Sequence, residues 1–182
     1  DGDLHPDIAN LPRPILLNVG RVAPEKNLEA FLDANLPGSK VIVGDGPDLD
    51  RLRSRYPEAH FMGAMVGEEL ASAYRTADCF VFPSLTDTFG LVVIEALSSG
   101  VPVAAYPVQG PIDIIGPNGR GACDEMPATV GICDDDLGHA VRRALTLDRR
   151  AAAVFGQNFS WERATDQFVK ALSGARKEFD LM

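Results

Sequence analysis

Apolar positions along this chain fall into two alternating kinds of run. Short continuous apolar stretches, each closed by a turn residue, occur at Ile15–Val19 (ending in Gly20), at Val41–Val43, in HFMGAM, in CFVFP and in VPVAAYP. Such runs fit strands buried on both faces of a parallel sheet. Between them the apolar residues take helical spacing. Leu28, Phe31 and Leu32 do so in APEKNLEAFLDA, where Pro24 suits a first turn, and Leu49, Leu52 and Tyr56 do so after the turn GDGP. EELASAYRTA, the run from Gly90 through Leu97, the short turn PIDIIG, DLGHAVRRALTL and Arg149–Phe155 continue the series. A long last helix, about residues 161–179, is entered through Ser160. Residues 117–133 are rich in Gly and Pro and leave a further strand open, within Gly121–Asp124 or Val130–Cys133. The alternation specifies an α/β fold: a doubly wound, Rossmann-like parallel sheet of about six strands with helices on both faces and right-handed crossovers. Residues 1–14, polar and carrying Pro6, Pro12 and Pro14, read as an interdomain linker remnant ahead of one domain over residues 15–182.

Composition narrows the partners more than the fold. With 46% hydrophobic and 24% charged residues in 182, the chain is an ordinary globular protein. Its net charge of -9 argues against nucleic acid or an anionic membrane as the main partner, since both need a basic face. Cys79, Cys123 and Cys133 have no zinc-like spacing and read as reduced thiols of a cytoplasmic protein, Cys79 as a small core residue. The chain opens on Asp1 without a Met, so the lack of a targeting segment carries no weight.

In a sheet of this kind, ligands bind beyond the carboxyl ends of the strands. The residues there are Gly20 and Arg21, then Gly44, Asp45 and Gly46, then Asp87 through Gly90, then Gln109, Gly110 and Asp113. Lys26 falls in the first turn of an expected helix, where a cation opposes the macrodipole by about 0.3–1 kcal/mol unless an anion is bound. With Arg21 it forms either a clamp on a diphosphate or a pair of solvated charges. Gly90 heads a helix with no basic residue beside it, and the amides of Gly90, Leu91 and Val92 suit a phosphate. Glu95, one acid on an apolar helix, suits a ribose diol or, alternatively, an exposed surface position or an internal salt bridge. Asp87 is placed for sugar hydroxyls or, alternatively, for a helix cap or a turn. GDGP is not a dinucleotide fingerprint, and neither the acid pairs nor His5, His60, His139, Ser84, Ser98 and Ser99 form a metal site or a nucleophile triad.

The order GRVAPEKN, VGDGP, FMG, ASAYRTADCFVFPSLTDTFGLVVIEALSSGVPVAAY, QGPIDII and FSWERA resembles the C-terminal, donor-binding half of the family 4, or group 1, retaining glycosyltransferases of GT-B fold. The resemblance covers roughly Pro14 to Leu172. It implies Arg21 and Lys26 on the donor diphosphate and the amides of Gly90, Leu91 and Val92 on the phosphates. It also implies Glu95 on the ribose, with Gly20, Gly44, Gly46 and Phe89 bordering the nucleotide. Asp87 stands where the family commonly has Glu facing the donor sugar, a shorter side chain and the one departure. The implied partner is a UDP-, GDP- or ADP-sugar, with no metal and no cofactor. The acceptor domain would be a missing N-terminal half, through which any contact with the inner face of a membrane would run. The same architecture also serves nucleotide-sugar 2-epimerases and non-catalytic nucleotide-binding modules. The paired acids with TFGLVVIEA speak for transfer over epimerisation, and the intact set Arg21, Lys26, Asp87 and Glu95 argues against a degenerate module.

Overall fold

The computed structural model describes residues 2–86, 90–122 and 126–159. The apolar runs become six strands: β1 (Ile15–Val19), β2 (Ser39–Val43), β3 (His60–Gly63), β4 (Cys79–Phe82), β5 (Val103–Ala105) and β6 (Gly131–Cys133). Of the two places left open for a late strand, the second is used. All pairings are parallel and the order is β3-β2-β1-β4-β5-β6. Two wings therefore grow outward from a central seam between β1 and β4, which is the topological switch point.

Successive strand residues face opposite sides of a sheet, and here that divides the interior into two cores. Ile15, Leu17, Phe80 and Phe82 point to one side. They are covered by α1 (Pro6–Ala9), α4 (Gly67–Thr76), α5 (Leu91–Ser98), α6 (Gln109–Ile115) and α8 (Arg149–Gly156), through Ile8, Tyr74, Val93, Leu97, Ile115 and Phe155. Leu16, Ile42, Cys79 and Val81 point to the other side, against α2 (Leu28–Asp33), α3 (Leu49–Arg55) and α7 (Leu137–Ala144). Each fully buried Phe or Leu contributes about 1.5–3 kcal/mol of transfer free energy. Cys79 is one of these core residues, and burial first, then the Asp78 carboxylate, pushes its thiol above the usual range. The stretch that reads as a linker docks on the first core: Ile8 is fully buried and the His5 amide donates to Thr76 Oγ1 at 2.8 Å. Cys123 and the expected last helix lie outside the described residues.

Two departures from the sequence reading bear on function. The segment APEKNLEAFLDA is not one helix. A 3-10 turn, Pro24–Lys26, is cut off from α2 by Asn27 in the left-handed conformation, φ 53 and ψ 36. Asn tolerates that conformation better than most residues, and the Asn27 side chain donates to the Pro83 carbonyl at 3.0 Å. Lys26 thus lies before the α-helix, and the expected conflict with its dipole does not arise. The second departure concerns the seam. β1 pairs with β2 along its whole length, Ile15 to Val19, but with β4 only at Leu16 and Leu17. Beyond Leu17 the two strands lack ladder pairing. The Asn18 side-chain amide bridges them instead, donating to the Val81 carbonyl at 2.9 Å.

Candidate functional site

Three strand-end loops on the β1 side of the seam are stitched together by backbone. The Gly20 amide donates to Val43, the Gly44 amide to Gly63, Val22 to Asp45, and Asp48 back to Val22, all at 2.7–3.1 Å. This approach explains the glycines of GDGP. A Cβ on Gly44 would lie 1.8 Å from the Gly20 carbonyl oxygen, and one on Gly46 would lie 2.3 Å from that of Val22. What these two glycines admit is the loop after β1, which they fix in place.

A cleft of about 60 Å³ opens where β1 and β4 part. Gly20 and Lys26 line it from the β1 side, Phe82 and Ser84 from β4, Val92 from the first turn of α5, and Asn18 from the seam. Lys26 is half-buried there. Arg21 is turned outward and exposed, 3.5 Å from the Glu25 carboxylate four residues on. An exposed pair of this geometry contributes little stability, so an anion in the cleft would compete for Arg21 at small cost. Ser84 Oγ donates to the Glu25 carbonyl at 3.4 Å, and together with Asn27 it fastens the loop after β4 to the 3-10 turn that carries Lys26.

Gly90 begins α5 in the left-handed region, φ 68 and ψ 51, and the Val93 amide closes the first turn on its carbonyl at 2.8 Å. The preceding amides of a first turn have no intrahelical acceptor. They belong to Gly90, Leu91 and Val92, and Val92 lines the cleft. Leu91 is 64% exposed, unusual for a leucine. Glu95 is exposed on the same side of the helix. It is therefore not a buried charge, yet it is held, because the Tyr74 hydroxyl from α4 donates to its Oε2 at 2.8 Å. Tyr74 itself is buried, its ring 5.8 Å from that of Phe80. Burial first, then Glu95, pushes its hydroxyl pKa above the usual range. Asp87 and Phe89 lie outside the described residues, and Asp113 is exposed on α6.

The structure thus brings Gly20, Lys26 and Val92 to one cleft, sets Gly44 and Gly46 behind it and places Arg21, Gly90, Leu91 and Glu95 around it. Sequence reasoning missed Asn18, Asn27 and Tyr74. The first two carried a signal, a carboxamide inside a strand run and another inside a helix pattern. Tyr74 looks like any core aromatic. Among the described residues, no group of three His, Cys, Asp or Glu is placed to hold a metal ion, and no helix is long and apolar enough to cross a membrane.

An open parallel sheet with a cleft at its topological switch point has the layout of the doubly wound nucleotide-binding domains. Comparison with known proteins makes the class specific. Residues 13–145 match the family described as Glycosyl transferases group 1, and the chain belongs to that family. A GDP-mannose-dependent alpha-mannosyltransferase of Mycobacterium tuberculosis is 47% identical over 171 residues, 90% of this chain and 44% of that protein. Sulfoquinovosyl transferase SQD2 of Arabidopsis thaliana is 36% identical over 168 residues, 84% of this chain and 32% of that protein. The crystal structure of Anabaena Alr3699/HepE in complex with UDP superposes with a TM-score of 0.70 at 20% identity, covering 92% of this chain and 50% of that one. The chain spans less than half the length of these two curated relatives, and its fold is that of one half of a GT-B enzyme.

Proposed function

We propose that this chain is the C-terminal, donor-binding domain of a retaining, metal-independent glycosyltransferase that moves a sugar from a nucleoside-diphosphate sugar to an acceptor hydroxyl. The observation that carries the proposal is the meeting of Lys26, the Gly20 backbone and the first turn of α5 at one cleft in the switch-point seam. As the bond from the anomeric carbon to the donor phosphate breaks, negative charge grows on the diphosphate. Lys26, Arg21 and the amides of Gly90, Leu91 and Val92 would stabilise that charge, helping the leaving group to depart. Glu95 would accept from the ribose hydroxyls and Asp87 from those of the transferred sugar. The acceptor and the rest of the active site would come from an N-terminal half, so this chain alone would bind donor weakly and turn over nothing.

The 47% identical relative is named for GDP-mannose, which makes that sugar nucleotide the first donor to try. Calorimetry of the folded chain against GDP, UDP, ADP and their sugars tests the reading. Binding of at least one diphosphate, strengthened relative to its nucleoside, is expected. Failure of a folded sample to bind any of them overturns the donor-site reading.

A further inference from the structure

The geometry points to Tyr74 as a positioning residue for the ribose: its buried hydroxyl fixes the rotamer of Glu95, so that the carboxylate meets the donor diol already oriented. The inference rests on the reading of Glu95 as the ribose anchor and adds to it a residue to which the sequence reading assigned no role.

Glu95 sits on the exposed side of α5, where a glutamate ordinarily samples many rotamers and loses that freedom when it binds. Here one oxygen is tethered. The Tyr74 hydroxyl donates to Oε2 at 2.8 Å and lies 3.5 Å from the Val92 carbonyl of the same helix. The donor end cannot drift. Tyr74 is 2% exposed, its ring wedged against Phe80 of β4 in the first core. The direction of the bond is settled as well, because burial and the adjacent carboxylate keep the phenol protonated. A carboxylate has about four lone-pair sites. Tyr74 occupies one of them, leaving Oε1 and the second site on Oε2 for two hydroxyl groups.

A phenylalanine at position 74 keeps the ring and removes only the tether. The comparison is between GDP, UDP and ADP and their 2′,3′-dideoxy counterparts, measured by calorimetry on the wild-type chain and on Tyr74→Phe. Each charge-assisted hydrogen bond is worth roughly tenfold in affinity or more, so the wild type should prefer the ribonucleotide by about a hundredfold if both hydroxyls bind. In Tyr74→Phe that preference should shrink by roughly fivefold to tenfold, the usual range for a lost hydrogen bond, while affinity for the dideoxy ligand stays within about twofold. A preference unchanged by the substitution overturns the proposal. So does an equal loss for both ligands, which would mark Tyr74 as structural only. If the wild type shows no preference for the diol, and Glu95→Ala binds like wild type, the ribose reading of Glu95 fails first, and the proposal with it. If Tyr74→Phe proves unstable, Glu95→Asp gives a second test. Its carboxylate is withdrawn by one methylene from the Tyr74 hydroxyl, and it should lose the diol preference without touching the core. Retention of the full preference overturns the proposal there too.

Discussion

Lys26→Ala is expected to weaken binding of a nucleoside diphosphate by about 10- to 100-fold while leaving the nucleoside unaffected, on the basis that a hydrogen bond to a charged group is worth about 1.5–3 kcal/mol. Lys26 earns the larger effect over Arg21 by position. It is half-buried in the cleft that the first turn of α5 also lines, where charge is less screened than at the surface. Arg21 is exposed and rests near Glu25, so Arg21→Ala should cost only a few-fold and fade as salt is raised. The measurement is calorimetry of each variant with GDP and guanosine, or with whichever pair the wild type prefers. Equal losses for diphosphate and nucleoside would remove Lys26 from the phosphate site.

Gly44→Ala should be the most damaging single-methyl change near the cleft. The new Cβ would lie 1.8 Å from the carbonyl oxygen of Gly20, a backbone atom, and the residue sits at φ 144. Relief requires the loop after β1 to move away from β2, breaking the bonds from Gly20 to Val43 and from Val22 to Asp45 that register it. A loss of about 2–4 kcal/mol follows from overpacking of this kind, equivalent to a fall in Tm of very roughly 5–15 °C for a domain of this size. Gly63→Ala is the matched control. Gly63 also has positive φ, 79, but a Cβ there meets nothing within 4 Å, so it should show only the conformational strain, about 1–2 kcal/mol. Thermal melts of the two variants separate clash from strain, and near-identical Tm values would mean that the loop yields freely. Nucleotide binding at low temperature should also fail in Gly44→Ala but survive in Gly63→Ala, because only the first displaces Gly20 from the cleft wall.

Most of the architecture was legible because it is written in periodicity. Parallel strands buried on both sides are dominated by apolar residues, and Ile15–Val19, broken only by Asn18, and Cys79–Phe82 announce themselves that way. The late strand was ambiguous because only Gly131–Cys133 pairs, too short a stretch to show a period among the glycines around it. The break at Asn27 was hidden by Leu28, Phe31 and Leu32, whose helical spacing is real but starts one residue after a left-handed turn. As for the site, residues whose role is charge or backbone shape, such as Lys26 and Gly90, stood out by type. Residues whose role is to hold others did not. Asn18, Asn27 and Tyr74 act through hydrogen bonds to partners 63, 56 and 21 positions away, and separations of that kind leave no local pattern.

The parting of β1 and β4 has a consequence for how such a protein can change. The opening exists because two strands run side by side for only Leu16 and Leu17 before their connections lead to opposite wings of the sheet. It is a property of the path of the chain, and no lining side chain creates it. Val92, a partly exposed residue of the first turn of α5, can therefore be exchanged without closing the opening, whereas Phe82 and Ser84 are buried and tie the cleft to the core. The opening is thus a doorway framed by the course of the backbone, and a change at its rim alters what passes without rebuilding the frame.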